Sequence, residues 1–192
     1  MASRSRPIAY IFLVFVITSL GIGWWQGWIR PINIQTFLHN EPGSYQIAHF
    51  VDGDTVQVTM NGTLETIRFI GIDTPETHKP NTPVQCYGPV AAEYTKARIG
   101  HQRIRLVSDS LTTNRDRYDR LLRYVVLEDG TNLNLELVQK GQAFAYAFPF
   151  SRLNEFGAAM TSAQKARAGL WSTCMPYQNP STGQWHTEET TT

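Results

Sequence analysis

Alternating apolar and polar positions predict three consecutive β-strands in the first half of the chain. The segments are Tyr45 to Val51, Thr55 to Met60 and Thr63 to Ile72. Asp52-Gly53 and Asn61-Gly62 separate them, and Asp-Gly and Asn-Gly between apolar runs are strong signals for hairpin turns. We therefore expect an antiparallel meander.

The second half predicts helices interspersed with two further strands. Gly88-Pro89 is typical of a helix start, Gly100 of a helix end, and Asn132 of the N-cap of a short helix. The other predicted elements are strands at Gln102 to Val107 and Arg120 to Leu127, and a helix at Leu153 to Ala168. Five strands, with a helix between the third and the fourth, have the order of a Greek-key barrel of the OB type. The predicted fold class is α+β, a five-stranded OB-fold barrel with about three helices.

The N-terminal segment has the pattern of a transmembrane helix. Arg4 and Arg6 precede Ile8 to Trp25, a run of eighteen residues without a charge. As a helix this run would span about 27 Å, close to the hydrocarbon thickness of a bilayer. The charge bias places the N-terminus in the cytoplasm and the rest of the chain outside. A cleaved signal sequence is the alternative, and the protein would then be secreted.

These patterns divide the chain into four parts. We expect a membrane anchor or signal sequence at 1–29, a linker at 30–44, a folded domain at 45–171 and a polar tail at 172–192. The tail is rich in Thr, Pro and Gly and is expected to fray.

The overall charge indicates no particular function, but the arginines are concentrated in one segment. The net charge is +1, so the whole protein is not a polycation. Seven of the thirteen arginines nevertheless lie between Arg98 and Arg123, opposed there by Asp109, Asp116 and Asp119. This concentration is compatible with a phosphate-binding groove and equally with ordinary surface charge.

The two cysteines, Cys86 and Cys174, suit an oxidising compartment. There an isolated pair predicts a disulfide, with two buried thiols as the alternative. The five histidines are scattered and no Cys or His pair has ligand spacing, so a zinc site is not expected.

The segment "IRFIGIDTPETH" carries the strongest chemical signal. Alternation places Arg68 on the strand face opposite Ile67 and Phe69, and two carboxylates, Asp73 and Glu76, follow. A helix start would explain the two acids, but Pro80 and Pro83 forbid a regular helix there.

A third acid, Asp54, follows the first hairpin turn. In a meander Asp54 and Asp73 can lie at one rim of the sheet, near the main-chain carbonyl of Thr74. Hard oxygen ligands of this kind suit Ca²⁺. The pairing with Glu76 and Arg68 favours a site over isolated turn residues.

The motifs "VDGDTV", "IRFIGIDTPE", "CYGPVA" and "RDRYDRLLRYV" together resemble the staphylococcal-nuclease-like (thermonuclease) family. They occur in order, and the resemblance covers about Tyr45 to Trp171. It implies an OB-fold barrel and a calcium-dependent endonuclease that hydrolyses DNA and RNA and leaves 3′-phosphates.

The resemblance also assigns roles to individual residues. It implies Ca²⁺ on Asp54, Asp73 and the Thr74 carbonyl, and Glu76 as the general base or water-orienting group. The remaining implied residues bind substrate: Arg68 and Arg120 at the scissile phosphate, and Tyr118 and Tyr146 near phosphate and base. Core packing is the alternative for the two tyrosines.

One position departs from the family pattern. Asp119 stands where the family usually has Gly, and Asp tolerates the left-handed backbone region that such a turn requires. Its negative charge could weaken binding of a phosphate.

Two alternative functions remain open at this stage. One is a non-catalytic nucleic-acid-binding OB-fold domain, and the other is a structural protein of the cell envelope. The presence of both aspartates, Glu76 and both arginines favours the enzyme. We expect DNA and RNA as substrates and contact with the membrane through the N-terminal helix. No protein partner is expected, and the chain should be a monomer.

Overall fold

A computed structural model of the protein describes residues 43–77 and 83–189. The predicted anchor and nearly all of the predicted linker lie outside these residues. Within the described residues, no helix combines the length and apolar character needed to cross a membrane.

Six strands form the main sheet, in the order β1-β6-β7-β4-β3-β2. Their bounds are β1 Ser44–Tyr45, β2 Ile47–Asp52, β3 Thr55–Met60, β4 Thr63–Phe69, β6 Ile104–Val107 and β7 Leu121–Val126. All neighbouring pairs are antiparallel except β4 and β7, which run parallel. The predicted meander is present as β2, β3 and β4.

The sheet curls into a barrel because its first and last strands belong to one segment. Only Gln46 separates β1 from β2. Tyr45 pairs with Ile104 on β6, while Ile47 pairs with Val58 on β3. This segment therefore joins both edges of the sheet, which agrees with the predicted OB-type barrel.

The third predicted strand, Thr63 to Ile72, is interrupted in the structure. β4 ends at Phe69, and a separate strand β5, Ile72–Asp73, pairs with β8, Phe144–Ala145. Gly71 turns the chain between them with a φ of 77°. A Cβ at Gly71 would lie 2.6 Å from the Phe150 ring, so only glycine fits both the turn and the close approach.

Four helices of the described residues pack around the barrel: α1 Gly88–Ile99, α2 Leu133–Gln139, α3 Leu153–Lys165 and α4 Leu170–Thr173. The first three are the predicted helices. Asn132 caps α2 as expected, and its side chain accepts a hydrogen bond from the Leu135 amide. The core between barrel and helices contains Val56, Ile67, Phe69, Leu137 and Phe156, each almost fully buried.

Over its described part, the C-terminal tail has regular secondary structure, which its loop-like composition did not predict. It forms a hairpin of β9, Tyr177–Gln178, and β10, Trp185–His186. Trp185 stacks on Phe144 and meets Trp171 edge-on. Apolar burial and long-range pairing hold this segment in place, although its composition is that of a loop.

A disulfide ties the same region to the barrel. Cys86 lies just before α1 and Cys174 follows α4, and their Cα atoms are 6.0 Å apart.

Candidate functional site

The residues named by sequence lie around one cavity of about 750 Å³ beside the barrel. It is lined by four carboxylates, three arginines, two tyrosines and neutral polar groups. The charged residues are Asp52, Asp54, Asp73, Glu76, Arg68, Arg117 and Arg120.

The β3–β4 hairpin positions the centre of the site. Arg68, on β4, pairs across the hairpin with Thr55, and Asp54 immediately precedes Thr55. Asp73 ends β5, beyond the Gly71 turn. The hairpin and the turn after it thus bring Asp54, Arg68 and Asp73 to the same end of the barrel.

Arg68 lies between the two aspartates. One terminal nitrogen, NH1, contacts Asp54 Oδ2, and the other, NH2, is 2.6 Å from Asp73 Oδ1. The Arg68 side chain is only 13% exposed, so both ion pairs are shielded from bulk water. Burial acts to lower the pKa of Arg68, but the Asp54 and Asp73 carboxylates outweigh it and the pKa is raised.

Asp54 is itself held by three hydrogen-bond donors. The amide of Thr74 donates to Asp54 Oδ2 over 2.8 Å, and its hydroxyl over 3.1 Å. The Thr55 hydroxyl donates to Asp54 Oδ1 over 2.9 Å. A Cβ at the neighbouring Gly53 would meet the Thr74 side chain at 2.9 Å, so glycine permits this approach.

Burial and mutual repulsion raise the pKa values of two carboxylates in the cavity. Burial raises the pKa of Asp73 to about 7, with Asp54 and Glu76 adding to the shift and Arg68 opposing it. Burial and the Asp54 charge also raise the pKa of Asp52. A site that concentrates carboxylates at this cost is prepared to receive positive charge.

Glu76 is fixed by its main chain. Its amide donates to Gln85 Oε1 over 2.9 Å, and its carbonyl accepts from the Gln85 amide over 2.9 Å. These two hydrogen bonds fix the main chain at Glu76, and the half-buried Glu76 side chain lines the cavity.

Arg120 enters the cavity from the turn before β7. Its Nε and NH2 atoms are each 2.7 Å from Asp116 Oδ2, which orients the guanidinium. Tyr118, 64% exposed, lies under two cations, with Arg117 4.8 Å and Arg120 5.4 Å from its ring centre. Asp119 occupies the left-handed region with φ 65°, so the turn accommodates the missing glycine.

Tyr146 faces the cavity from the segment after β8. Its ring stacks on Phe148 with centroids 4.8 Å apart, and Phe148 is 55% exposed. Exposed stacked aromatics of this kind are suited to a planar ligand such as a nucleobase. Neither tyrosine of the site belongs to the core.

The arginine concentration seen in the sequence divides in space. Arg117 and Arg120 line the cavity, whereas Arg98 pairs with Asp129 and Glu136, and Arg115 pairs with Glu65. Sequence proximity therefore overstated the positive charge that the cavity receives.

Sequence reasoning missed several cavity residues. Phe148, which stacks on Tyr146 and lines a second, adjacent cavity, could have been found because it follows Tyr146 at strand spacing in "FAYAF". Gln85, Gln184 and His186 carried none, because they are polar residues in a loop or tail that long-range contacts bring to the site.

The donor set fits a hard cation. Asp54, Asp73 and the Thr74 main chain offer oxygen ligands, which Ca²⁺ prefers. Asp54, Asp73 and Glu76 line the same cavity. Their three carboxylate groups do not all lie within 4.8 Å of one another in the part of the chain that the structure describes. The single such group there is Cys86, Cys174 and Glu188, whose sulfur atoms are consumed by the disulfide.

The fold and the site define an OB-fold barrel with a cavity that combines carboxylates and guanidinium groups at one end. Comparison with known families matches residues 66–173 to the staphylococcal nuclease homologue family. The chain belongs to this family.

Known relatives align with about two thirds of the chain. The thermonuclease of Staphylococcus intermedius is 41% identical over 132 residues, which is 67% of this chain and 76% of that protein. The thermonuclease of Staphylococcus hyicus is 39% identical over the same shares. Endonuclease YncB of Bacillus subtilis is 34% identical over 125 residues, or 64% of this chain and 58% of that protein.

Proposed function

We propose that the protein is a nuclease, specifically a calcium-dependent endonuclease that hydrolyses DNA and RNA and leaves 3′-phosphates. One observation carries the proposal: the Arg68 guanidinium lies between the Asp54 and Asp73 carboxylates in a cavity that Glu76 and Arg120 also line. The names of the relatives support the same class of activity.

The residues divide the work of phosphodiester hydrolysis. Asp54, Asp73 and the Thr74 carbonyl would hold Ca²⁺, which supplies positive charge beside the phosphate oxygens. Arg68 and Arg120 bind the scissile phosphate, because a planar guanidinium can contact two oxygens at once. These donors stabilise the negative charge that develops on the phosphate oxygens in the transition state.

Glu76 serves the attacking water. It orients the water and accepts its proton as the water oxygen forms a bond to phosphorus. The bond from phosphorus to the 5′-oxygen breaks, that oxygen takes a proton from solvent and leaves as a hydroxyl, and Glu76 returns its own proton to solvent. The products are a 3′-phosphate and a 5′-hydroxyl.

The test is an assay of plasmid DNA with the full chain, in Ca²⁺ and in EDTA. We expect nicking and fragmentation in Ca²⁺ and none in EDTA. Retardation of intact plasmid without cleavage would instead identify a non-catalytic nucleic-acid-binding domain. No cleavage and no binding would favour a structural role.

We further propose that the domain lies outside the cytoplasmic membrane, anchored by residues 1–29 or released by their cleavage. The uncharged run from Ile8 to Trp25 after Arg4 and Arg6 supports this placement. Protease added to intact cells should digest the domain and spare cytoplasmic markers. Complete protection would contradict the proposed topology.

A further inference from the structure

The C-terminal hairpin, defined here as residues 175–189, lies beyond the stretch that matches the family. That match ends at residue 173. The hairpin nevertheless contributes two side chains, Gln184 and His186, to the cavity that contains Arg68 and Glu76. A part of the chain beyond the family match thus lines the site.

Hydrogen bonds anchor the hairpin to the chain around Cys86. The Cys86 amide donates to the Glu188 carbonyl over 2.8 Å, and the Thr187 hydroxyl donates to the Cys86 carbonyl over 2.8 Å. Glu189 forms a β-bridge with Gln85, the residue that holds the Glu76 main chain. The hairpin is therefore attached directly to the loop that carries Glu76.

Packing anchors the hairpin as well. Thr187 is 2% exposed, and Trp185 fills the space beside Phe144 and Trp171. The disulfide at Cys174 fixes the chain just before the hairpin begins. Because these hydrogen bonds, the packing and the disulfide hold the hairpin, Gln184 and His186 have defined positions at the cavity.

Gln184 makes a specific contact with the aromatic part of the site. Its Nε2 donates to the Tyr146 hydroxyl over 2.9 Å. Gln184 also lines an adjacent cavity of about 870 Å³ that contains Phe148 and Thr182. It lies where the cavity of Arg68 meets the stacked Tyr146 and Phe148 rings.

The chemistry of the two side chains suits a polyanionic strand. The rest of the cavity combines carboxylates with guanidinium groups, whereas an amide and an imidazole offer hydrogen bonds without adding negative charge. Such groups can bind phosphate or sugar oxygens next to the scissile phosphate, or the edge of a base.

We propose that the C-terminal hairpin is a substrate-binding wall of the nuclease, in which His186 contacts the nucleic acid strand and Gln184 is a positioning residue that orients Tyr146. The proposal deepens the proposed function and takes its substrate class, DNA or RNA, from it.

The first experiment compares His186→Ala and Gln184→Ala with Ser181→Ala, a control on the exposed turn of the same hairpin. Steady-state hydrolysis of a single-stranded oligonucleotide in Ca²⁺ gives kcat and KM. Each test variant should raise KM about three- to tenfold, the size expected for one lost hydrogen bond, with kcat changed much less. Ser181→Ala should match the parent, and thermal unfolding should show that all three variants are folded.

A double-mutant cycle isolates the positioning role. Tyr146→Phe removes the hydroxyl that Gln184 binds and keeps the ring. If Gln184 acts through that hydroxyl, the Gln184→Ala, Tyr146→Phe double variant should lose no more than the larger single effect. Additive losses would overturn the positioning role.

A second experiment measures binding of the same oligonucleotide, now fluorescently labelled, by anisotropy in EDTA. It distinguishes failure of the proposed nuclease function from failure of the proposed substrate-binding wall. If the parent binds but does not cleave in Ca²⁺, and the hairpin variants bind more weakly, the nuclease function fails and the wall stands. If the parent cleaves and both variants keep its KM and its affinity, the wall is overturned and the function stands. A parent that neither cleaves nor binds overturns both.

Discussion

At the scale of single residues, the site separates groups that would hold a cation from the group that would serve the attacking water. Asp54 is fixed by Thr55 and Thr74 and contacts Arg68. Glu76 is fixed by its main chain through Gln85 and keeps its carboxylate at the cavity. Changes at the two acids should therefore have different kinetic signatures.

Glu76→Gln should lower kcat at saturating Ca²⁺ and leave substrate binding largely intact. A general base contributes about 10²- to 10⁴-fold, and added metal should not recover that loss. Asp54→Ala should instead weaken the affinity for Ca²⁺, so that excess Ca²⁺ restores part of the rate. The measurement is kcat against Ca²⁺ concentration on one DNA substrate, with Glu93→Gln at an exposed position of helix α1 as the control. A near-parental kcat for Glu76→Gln would remove the assigned role.

Arg68→Lys should also lower kcat without rescue by Ca²⁺. A lysine carries the charge but cannot present two parallel donors, and losing such a donor costs about 3 to 4 kcal/mol of transition-state stabilisation. The matched control is Arg115→Lys, because Arg115 makes a two-pronged pair with Glu65 at 2.9 Å on each side and does not line the cavity. Equal kcat values for the two variants would contradict the role of Arg68.

At the scale of elements, two glycines allow the end of α2 to meet the connection between α3 and α4. The Leu170 amide donates to the Gly141 carbonyl over 2.9 Å. A Cβ on Gly141 would overlap the Ala168 carbonyl, and one on Gly169 would overlap the Gly141 carbonyl. This contact is main chain against main chain, and no rotamer change can relieve a clash there.

Gly141→Ala should destabilise the protein more than Gly130→Ala. Both glycines have positive φ, 64° and 84°, so both substitutions carry a backbone cost of about 1 to 2 kcal/mol. Gly130 has open space where a Cβ would lie, whereas Gly141 should lose about 1 to 3 kcal/mol more from overpacking. Chemical denaturation of the two variants gives the difference in their free energies of unfolding. Equal values would show that the main chain around Gly141 moves aside without loss of stability.

The elements that sequence predicted are those with local signals. Asp-Gly and Asn-Gly turns located the meander, and Asn132 located the start of α2, since turns and caps depend on neighbouring residues. The split between β4 and β5 was missed because Ile70 and Ile72 continue the apolar pattern across Gly71. The hairpin at β9 and β10 was missed because its strands have two residues each, too few for periodicity.

The site shows the same division. Asp54, Arg68, Asp73 and Glu76 could be found because short motifs around the β3–β4 hairpin contain them. Gln184 and His186 could not, because a fold of the whole chain is needed to bring the tail against the loop of Glu76. Their contribution is a property of tertiary structure alone.

At the scale of the whole molecule, the disulfide closes a loop with a sequence separation of 88 residues. Such a crosslink should stabilise the protein by about 4 to 5 kcal/mol in the chain-entropy model, because it restricts the unfolded chain. The Cys86→Ser, Cys174→Ser double variant should show this loss in chemical denaturation, and reduction of the parent should reproduce it. Alkylation of both cysteines in the natively produced protein, before any reductant, would show that the bond does not form.

The shared segment of β1 and β2 has a consequence for the time course of folding. The pairing of β2 with β3 joins neighbours along the chain, whereas the pairing of Ser44 with Arg105 requires a long excursion of the backbone. Contacts between distant residues close slowly because the intervening chain must first lose its freedom. The hairpin that presents Arg68 can therefore form early, while the seam between β1 and β6 is made late and should be the first to open in brief fluctuations of the native state.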